Sequence, residues 1–339
     1  MTKLNIGIVG TGFIATLIAP AIQGSEYARL VAVSSRSKEK ADSFAAQFPG
    51  ARGVKGLEEL LQQPDVQAVY VAAPTAAKED IAAQALSAGK HVLIEKPLQS
   101  KDSAARLARI ARDNNVVLMD ATHFVHHART FAMRERIPEL IGEPRSLHTM
   151  FYFPFSDREN IRFDQSEEPM GAIGDMAWYS MRAAVEFLSP GPLADIRVFA
   201  EQDVQTSAVI RATGLLAFKD GKTTTFDVGY TTGTAMMDLT LGGTSGVVAQ
   251  DDFVLDWNSG FAFNNPDIQT GFNHRSGMAT RKDITFISTP GSKPQHALMI
   301  DAFAQLALDP DLKQRPRWMD ATIQTQTLLD AVWEAAQAA

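Results

Sequence analysis

A glycine-rich turn near the amino terminus has the residue types and spacing that hold a phosphate group. Gly10, Thr11, Gly12, Phe13 and Ile14 follow a short apolar run and open a helical pattern. In a dinucleotide site the first glycine allows a tight turn and the second lets the backbone approach a pyrophosphate. The helix N-terminus supplies N–H donors and partial positive charge. These five residues are therefore predicted to bind a cofactor; the open alternative is an ordinary turn between a strand and a helix.

The end of the second predicted strand distinguishes NAD from NADP. An NAD site places an Asp or Glu there to bind the ribose 2′-hydroxyl. Here the strand runs into Ser34-Ser35-Arg36-Ser37, which contains no carboxylate. Ser35 can donate to a 2′-phosphate, and Arg36 can pair with it or stack on adenine. NADP is the expected cofactor, with NAD as the alternative. Lys38 or Lys40 could share the phosphate if the helix that follows is suitably oriented, and Arg36 could instead be a solvated loop charge.

Alternating strands and helices must position that turn. Leu4 to Val9 is a β-branched apolar run, and strand and helix patterns then alternate as far as Met119. Strands with little polar alternation are buried on both faces. The order predicts an α/β fold, with a doubly wound parallel sheet of the Rossmann type over residues 1–122.

The second part of the chain, residues 123–339, has a different pattern. Strand patterns from Arg145 onward are joined by hairpin turns such as Asp220-Gly221, which predicts an open, mostly antiparallel sheet. One long helix is expected over Ile173 to Leu188, and two end the chain and could pack back on the first domain. The aromatic-rich loop from Trp257 to Phe272 is long enough to suggest a role in closing over substrate or in an oligomer interface.

Composition limits the class of partner. The 339 residues carry a net charge of -7 and no cysteine, which excludes disulfides, thiolate metal sites and a cysteine nucleophile. Nucleic acid is not expected because no basic stripe is present. No run of about 20 residues lacks polar breaks, so no membrane span is expected. The apolar amino terminus is interpreted as the first strand and not as a signal peptide, which makes the cytoplasm the simpler location.

The segment from Ala88 to Pro97, with its Glu95-Lys96-Pro97 end, resembles the signature of the glucose-fructose oxidoreductase / inositol dehydrogenase family. Thr11 in the glycine turn, the Ala73-Pro74-Thr75 segment and the run from Gly171 to Asp175 also fit the family pattern. The resemblance covers essentially the whole chain. It implies a Rossmann domain, an α/β domain whose open sheet forms a homo-oligomer interface, and a substrate site in the cleft between them.

The resemblance also implies the reacting residues. Lys96 matches the family lysine beside the nicotinamide and the substrate hydroxyl, and Glu95, Ala73, Pro74 and Thr75 then join the cofactor set. Tyr179 matches the second acid/base position, which is tyrosine in the sugar-oxidoreductase and dihydrodiol-dehydrogenase-like branches. Asp175 lies four residues earlier, so a helix would present both to the cleft.

Lysine and tyrosine suit proton transfer at a hydroxyl in both directions, provided that the pKa of each is lowered from about 10. The hypothesis makes Tyr179 the proton relay, Lys96 its electrostatic partner and Asp175 the binder of a neighbouring hydroxyl. The alternatives are that Lys96 is a surface cation, Asp175 a carboxylate at the start of a helix, and Tyr179 a packed aromatic side chain. Arg162 and His123 are lower-ranked candidates for substrate contact, and a structural ion pair is as plausible for Arg162. No metal is expected from His123, His126 and His127, whose spacing is more typical of capping and packing.

Departures from the family pattern leave the substrate open. Lys78 replaces the usual histidine of the Pro-Asn-x-x-His segment, and Pro169-Met170-Gly171 replaces a glycine triplet. The favoured activity is an NADP-dependent transfer of hydride between nicotinamide and a secondary alcohol or ketone of a sugar, polyol or cyclic diol. The alternatives are an NAD-dependent glycosidase-like enzyme and a non-catalytic nucleotide-binding sensor. Whether bound cofactor is recycled by a second substrate is not decided by these residues.

Overall fold

The computed structural model of the chain describes residues 2–255, 265–309, 311 and 315–338. The chain forms two compact units. Unit 1 comprises Met1–Thr122 with His296–Ile323, and unit 2 comprises His123–Gln295 with Gln324–Ala339. The boundary between domains that the sequence predicts, at residue 122, remains a prediction. Residues 256–264, which include the first half of the loop from Trp257 to Phe272, lie outside the described residues.

Unit 1 is built on a sheet of six parallel strands in the order β3-β2-β1-β4-β5-β6. Its elements up to Thr122 are β1 (Leu4–Val9), α1 (Phe13–Gly24), β2 (Ala28–Ser35), α2 (Lys38–Ala45), β3 (Arg52–Lys55), α3 (Gly56–Leu61), β4 (Ala68–Val71), α4 (Thr75–Ser87), β5 (His91–Ile94), α5 (Lys101–Asp113) and β6 (Leu118–Asp120). The strand order reverses beside β1, which places the carboxyl ends of β1 and β4 at the topological switch point where ligands bind in such sheets.

Unit 2 is built on an eight-stranded sheet in the order β14-β13-β12-β11-β7-β10-β9-β8. The remaining elements of the chain are α6 (Ala128–Leu140), β7 (Pro144–Tyr152), α7 (Trp178–Ala183), β8 (Leu193–Gln202), β9 (Val209–Phe218), β10 (Thr223–Gly229), β11 (Leu239–Gly243), β12 (Gly246–Gln250), β13 (Gly271–Ser276), β14 (Thr285–Ser288), α8 (Gln295–Leu308) and α9 (Arg315–Gln337). All neighbours pair antiparallel except β10 and β7, which are parallel.

The core of unit 1 forms because its strands are apolar on both faces. All six residues of β1 are buried, and so are all four of β4. Met299, Ile300 and Phe303 of α8 belong to the same core cluster. Burial of a large aliphatic or aromatic side chain contributes roughly 1.5–3 kcal/mol, so these residues fix the sheet that carries the glycine turn.

The α/β fold class expected from the sequence is confirmed, with a doubly wound parallel sheet followed by a mostly antiparallel one. The helix expected over Ile173 to Leu188 is not one regular α-helix. Residues Ile173–Ala177 and Ala184–Leu188 form π-helical turns on either side of α7. A π turn widens the helix and turns its side chains relative to an α-helix, and such turns often occur at functional sites.

No helix in the described part of the chain is both long enough and apolar enough to cross a bilayer.

Candidate functional site

The glycine turn in unit 1 has the geometry of a phosphate cradle. Gly10 adopts φ +109°, and a Cβ there would lie 2.4 Å from the carbonyl oxygen of Ala72, so only glycine fits. Gly12 caps α1, and a Cβ on it would meet nothing within 4 Å. The first N–H groups of α1 therefore open onto space next to Gly12, which suits an anionic group such as a pyrophosphate.

The end of β2 carries side chains that fit a 2′-phosphate. Arg36 is exposed directly after β2, and the hydroxyl of Ser37 caps α2 by accepting from the backbone N–H of Lys40. Lys38 forms an ion pair with Asp42 at 2.6 Å, whereas the Lys40 side chain is exposed. Ser35 is half-buried and its hydroxyl accepts weakly from the N–H of Ser37 at 3.4 Å. Arg36, Ser35 and Lys40 are the residues of this edge that could hold NADP.

The segment after β4 completes the candidate nucleotide site of unit 1. Ala73 and Pro74 are half-buried, and Thr75 is buried at the start of α4. The side-chain amide of Gln99 donates to the carbonyl oxygens of Thr75 and Ala76, at 3.1 and 2.7 Å. The backbone at the start of α4 is thereby held in place beside the switch point.

Lys96 lies in a charged and partly buried environment. Lys78 is almost fully buried, and its Nζ donates to the carbonyl oxygen of Lys96 at 3.0 Å. The hydroxyl of Tyr70 donates to the Glu95 carboxyl group. Burial raises the pKa of Glu95 above its usual range, and this hydrogen bond together with the charges of Lys96 and Lys78 opposes the rise. Lys78 thus fixes the backbone of Lys96 and adds positive charge next to it.

Tyr179 lies in a buried aromatic cluster of unit 2. Its side chain is 6% exposed, and its hydroxyl lies 3.3 Å from Nε2 of His123. The Tyr179 ring packs against Phe151 and Phe124, with ring centroids 5.4 and 6.3 Å away. The packed rings and the His123 imidazole thus define the position of the Tyr179 hydroxyl.

Asp175 belongs to a second group of side chains in unit 2. Its Oδ2 accepts from Arg162 Nε at 2.6 Å and from the Tyr230 hydroxyl at 3.5 Å. Arg162 also stacks on Phe155, with its guanidinium carbon 4.5 Å from the ring centroid. The carboxylate of Asp175 raises the pKa of Arg162, and burial raises the pKa of Tyr230 well above its ordinary value. Asp175 therefore acts here as the anion of an ion pair with Arg162.

The structure thus brings the predicted residues of unit 2 into two pairs, Tyr179 with His123 and Asp175 with Arg162. Within the residues that the structure describes, no group of three or more carboxylate or imidazole side chains suits a metal ion. His127 caps α6 by accepting from the N–H of Arg129, in line with the capping role expected for this histidine cluster.

The sequence did not predict a role for Gln295 or Arg129 in the group of buried side chains around His123. Gln295 lies 172 residues after His123, yet its amide contacts His123 Nδ1 at 2.8 Å. Arg129 is 4% exposed and donates to the carbonyl oxygen of Asp252 at 2.7 Å. Only Arg129 carried a sequence signal, since it follows the three histidines; no local pattern marks Gln295.

The chain matches a known oxidoreductase family over both halves. Residues 4–122 match the description "Oxidoreductase family, NAD-binding Rossmann fold", and residues 132–249 match the GFO/IDH/MocA C-terminal domain. A D-xylose 1-dehydrogenase (NADP(+)) of Haloferax volcanii is 30% identical over 68% of this chain and 70% of its own length.

Four further relatives are named as reductases of a dTDP-linked sugar. A dTDP-3,4-didehydro-2,6-dideoxy-alpha-D-glucose 3-reductase of Streptomyces violaceoruber is 38% identical over 53% of each chain. The match therefore spans about half the length of this relative, and matches to three other reductases of the same name span 58–66% of theirs.

A 3-ketoreductase from Actinomadura kijaniata, solved with NADP and TDP-benzene, is 27% identical and superposes with a TM-score of 0.86 over 98% of both chains. The matched domains and the resemblance over two thirds of the Haloferax enzyme confirm the family expected from the Glu95-Lys96-Pro97 signature: the chain belongs to the GFO/IDH/MocA family of oxidoreductases.

Proposed function

We propose that this protein is an NADP-dependent oxidoreductase that interconverts a secondary alcohol and a ketone on a sugar or a closely related polyol. The observation that carries the proposal is Tyr179, a buried tyrosine at the family's acid/base position whose hydroxyl is held by His123. A sensor that only binds nucleotide has no need of an oriented proton donor. The retention of Lys96 on the family signature supports the same conclusion.

NADP is the proposed cofactor. The carboxyl end of β2 offers Ser35 and Arg36, with no carboxylate to bind a ribose 2′-hydroxyl or repel a phosphate. The Haloferax volcanii relative is named as an NADP(+) enzyme, and the Actinomadura kijaniata relative is solved with NADP. When bound, the nicotinamide supplies or accepts the hydride. Gly10, Thr11, Gly12, Phe13 and Ile14 would hold the pyrophosphate.

The protein's own residues would then move the proton and orient the substrate. Tyr179 gives its phenol proton to the carbonyl oxygen during reduction and takes it back during oxidation. The Lys96 ammonium group orients the reacting oxygen and stabilises negative charge on it, while Lys78 fixes the Lys96 backbone.

Arg162 and Asp175 are proposed to bind substrate hydroxyls as a pair. The ion pair places a carboxylate acceptor and guanidinium donors side by side, and each side chain retains 20–30% exposure, with 29% for Arg162 and 21% for Asp175. Vicinal hydroxyls of a sugar ring can bond to both groups at once. The stacked Phe155 ring holds the guanidinium in one orientation.

The test is a turnover panel with purified protein, NADP or NADPH, and candidate substrates of three kinds. These are aldoses including D-xylose, inositols including scyllo-inositol, and keto-sugars linked to a nucleoside diphosphate. We expect a steady change in nicotinamide absorbance with one kind, and at least about 100-fold lower turnover in Tyr179→Phe. Tight NADP binding with no turnover on any member would favour a sensor, and retained cofactor with no net absorbance change but bond cleavage would favour the glycosidase-like alternative.

A further inference from the structure

Behind Tyr179, a chain of buried polar side chains leads away from its hydroxyl. It runs from Tyr179 through His123 and Gln295 to Arg129, and all four side chains are 6% exposed or less. Buried polar groups of this kind are costly unless their donors and acceptors match. The direction of each hydrogen bond between these four side chains can therefore be deduced from the groups at the two ends of the series.

The two ends of the Gln295 amide face groups of fixed character. One end lies 3.0 Å from a terminal nitrogen of Arg129, and the other lies 2.7 Å from the carbonyl oxygen of Val254. A guanidinium can only donate and a carbonyl can only accept. The amide oxygen of Gln295 is therefore assigned to the Arg129 end, and its nitrogen to the end that faces Val254 and, at 2.8 Å, Nδ1 of His123. This orientation gives up a weaker contact, at 3.4 Å, between the amide nitrogen and the carbonyl oxygen of Phe253.

This orientation decides which nitrogen of His123 carries the proton. Because the Gln295 nitrogen donates, Nδ1 of His123 has to accept and so carries no proton. In a neutral imidazole the proton is then on Nε2, the atom 3.3 Å from the Tyr179 hydroxyl. A hydrogen on Nδ1 would instead point at the amide N–H, so that two donors would face each other.

We infer that Arg129 and Gln295 hold His123 in its Nε2–H tautomer, so that His123 is a positioning residue that donates to the Tyr179 oxygen. This inference rests on the proposed function for its chemical consequence. With its oxygen accepting from His123, Tyr179 directs its own O–H to a different acceptor, which in the reaction is the substrate carbonyl oxygen.

The reaction then balances as follows. During reduction the carbonyl carbon gains the hydride carried by NADPH, and the carbonyl oxygen gains the phenol proton of Tyr179. The products are the alcohol, the oxidised cofactor and a tyrosinate whose charge is stabilised by the N–H of His123. Oxidation reverses each step. His123, which the sequence indicated as a candidate for substrate contact, acts here through Tyr179 instead.

The first test needs no substrate. Long-range proton–nitrogen NMR spectra of the histidine rings distinguish the two neutral tautomers by the shifts of their nitrogens. The chain has seven histidines, and the His123 signals are identified by their loss in His123→Gln. We expect a protonated Nε2 and an unprotonated Nδ1 near neutral pH. A protonated Nδ1 in the unaltered protein would overturn the inference.

Gln295→Glu tests the cause of the tautomer. A carboxylate has almost the same shape as the amide but only accepts hydrogen bonds, so it requires a proton on Nδ1. We expect the Nδ1 signal to move to the protonated position in this variant while the other histidine signals stay in place. An unchanged His123 spectrum in a folded Gln295→Glu protein would show that Gln295 does not set the tautomer.

The second test separates positioning from packing. Gln at position 123 can still present an N–H at about the place of Nε2, whereas Leu fills similar space with no donor. With NADPH and whichever panel member is turned over, we expect His123→Leu to lower kcat about 10- to 100-fold and to change KM by less than about 3-fold. His123→Gln should keep kcat within about 5-fold of the unaltered protein. Equal losses in both variants would assign His123 a packing role only.

The two tests fail independently of the proposed function. If no panel member is turned over but the Nε2–H tautomer is observed, the proposed activity is wrong and the hydrogen-bond chain stands. If turnover is observed but Nδ1 carries the proton, the activity stands and the role inferred for His123 is wrong.

Discussion

His127 is expected to make unit 2 sensitive to acid. Its ring is 1% exposed, and its Nδ1 accepts from the backbone N–H of Arg129 as the cap of α6. Burial, with a smaller effect from the Arg129 charge, lowers the pKa of His127 from 6.5 to about 3. A proton on Nδ1 would point at the N–H that it now binds, which is a second reason for the neutral form.

The magnitude follows from the linkage between protonation and folding. Below pH 6.5 the unfolded chain binds a proton at this histidine, while the folded protein does not until the pH approaches about 3. Stability is therefore complete above pH 6.5 and is lost as the pH falls. At about 1.36 kcal/mol for each pH unit, the loss reaches about 2.7 kcal/mol at pH 4.5.

His127→Asn is the variant that isolates this effect. Asn keeps a side-chain acceptor for the helix cap but cannot take up a proton. The assay is urea unfolding between pH 7.5 and 4.5, followed by intrinsic fluorescence, for the unaltered protein, His127→Asn and His148→Asn. His148 is exposed and serves as the matched control.

We expect His127→Asn to be less stable at pH 7.5, because the smaller side chain leaves a cavity. The difference from the unaltered protein should shrink by about 2–3 kcal/mol on going to pH 4.5. His148→Asn should run parallel to the unaltered protein. A constant difference between His127→Asn and the unaltered protein over this pH range would show that protonation of His127 does not destabilise the fold.

Three further predictions concern the cofactor site and the core. Gly10→Ala should destabilise the cofactor-free protein by about 2–4 kcal/mol, because its Cβ would lie 2.4 Å from the Ala72 carbonyl oxygen. Gly12→Ala should leave the free energy of unfolding unchanged and still weaken NADP binding at least about 10-fold. Equal effects of the two variants in urea unfolding would contradict this prediction. Arg36→Gln should weaken NADP binding about 10-fold or more and leave NAD affinity within about 2-fold of the unaltered protein, as measured by calorimetric titration. Parallel losses of affinity for both nucleotides would show that Arg36 does not bind the 2′-phosphate. Glu186→Gln should lower the free energy of unfolding, measured with heat or urea, by about 3 kcal/mol, since Glu186 pairs with the fully buried Arg182 at 3.1 Å. A loss below about 1 kcal/mol would show that another group neutralises the charge of Arg182.

The sequence predicted the strands and turns that are marked by a local pattern of apolar or turn residues. The strands β1, β4 and β5 are continuous apolar runs, and turn residues mark the hairpins of unit 2. The strands β13 (Gly271–Ser276) and β14 (Thr285–Ser288) were not predicted. The four-residue β3 (Arg52–Lys55) and the edge strand β8 (Leu193–Gln202) were also missed. Only Val54 and Val198 of these two strands are buried, so neither strand shows the alternation that identifies a strand.

The candidate site was predictable only in part. Glycine spacing and the Glu95-Lys96-Pro97 signature are local patterns, so the nucleotide edge and Lys96 could be named from them. The pairing of Tyr179 with His123, and of His123 with Gln295, joins residues 56 and 172 positions apart. The π-helical turns around α7 have no sequence signature either. Contacts of this kind depend on how the elements pack, which no local pattern reports.

In the proposed reaction, hydride passes between NADP and a sugar carbon while Tyr179 transfers the proton. The direct test incubates the protein with NADPH deuterated on the transferred position and the active keto-sugar, and examines the product by mass spectrometry and NMR. We expect one deuterium in the product, bound to the carbon that was the ketone carbon, and about 100-fold slower formation of the same product by Tyr179→Phe. Consumption of NADPH without deuterium in the product, or undiminished transfer by Tyr179→Phe, would contradict the proposed reaction.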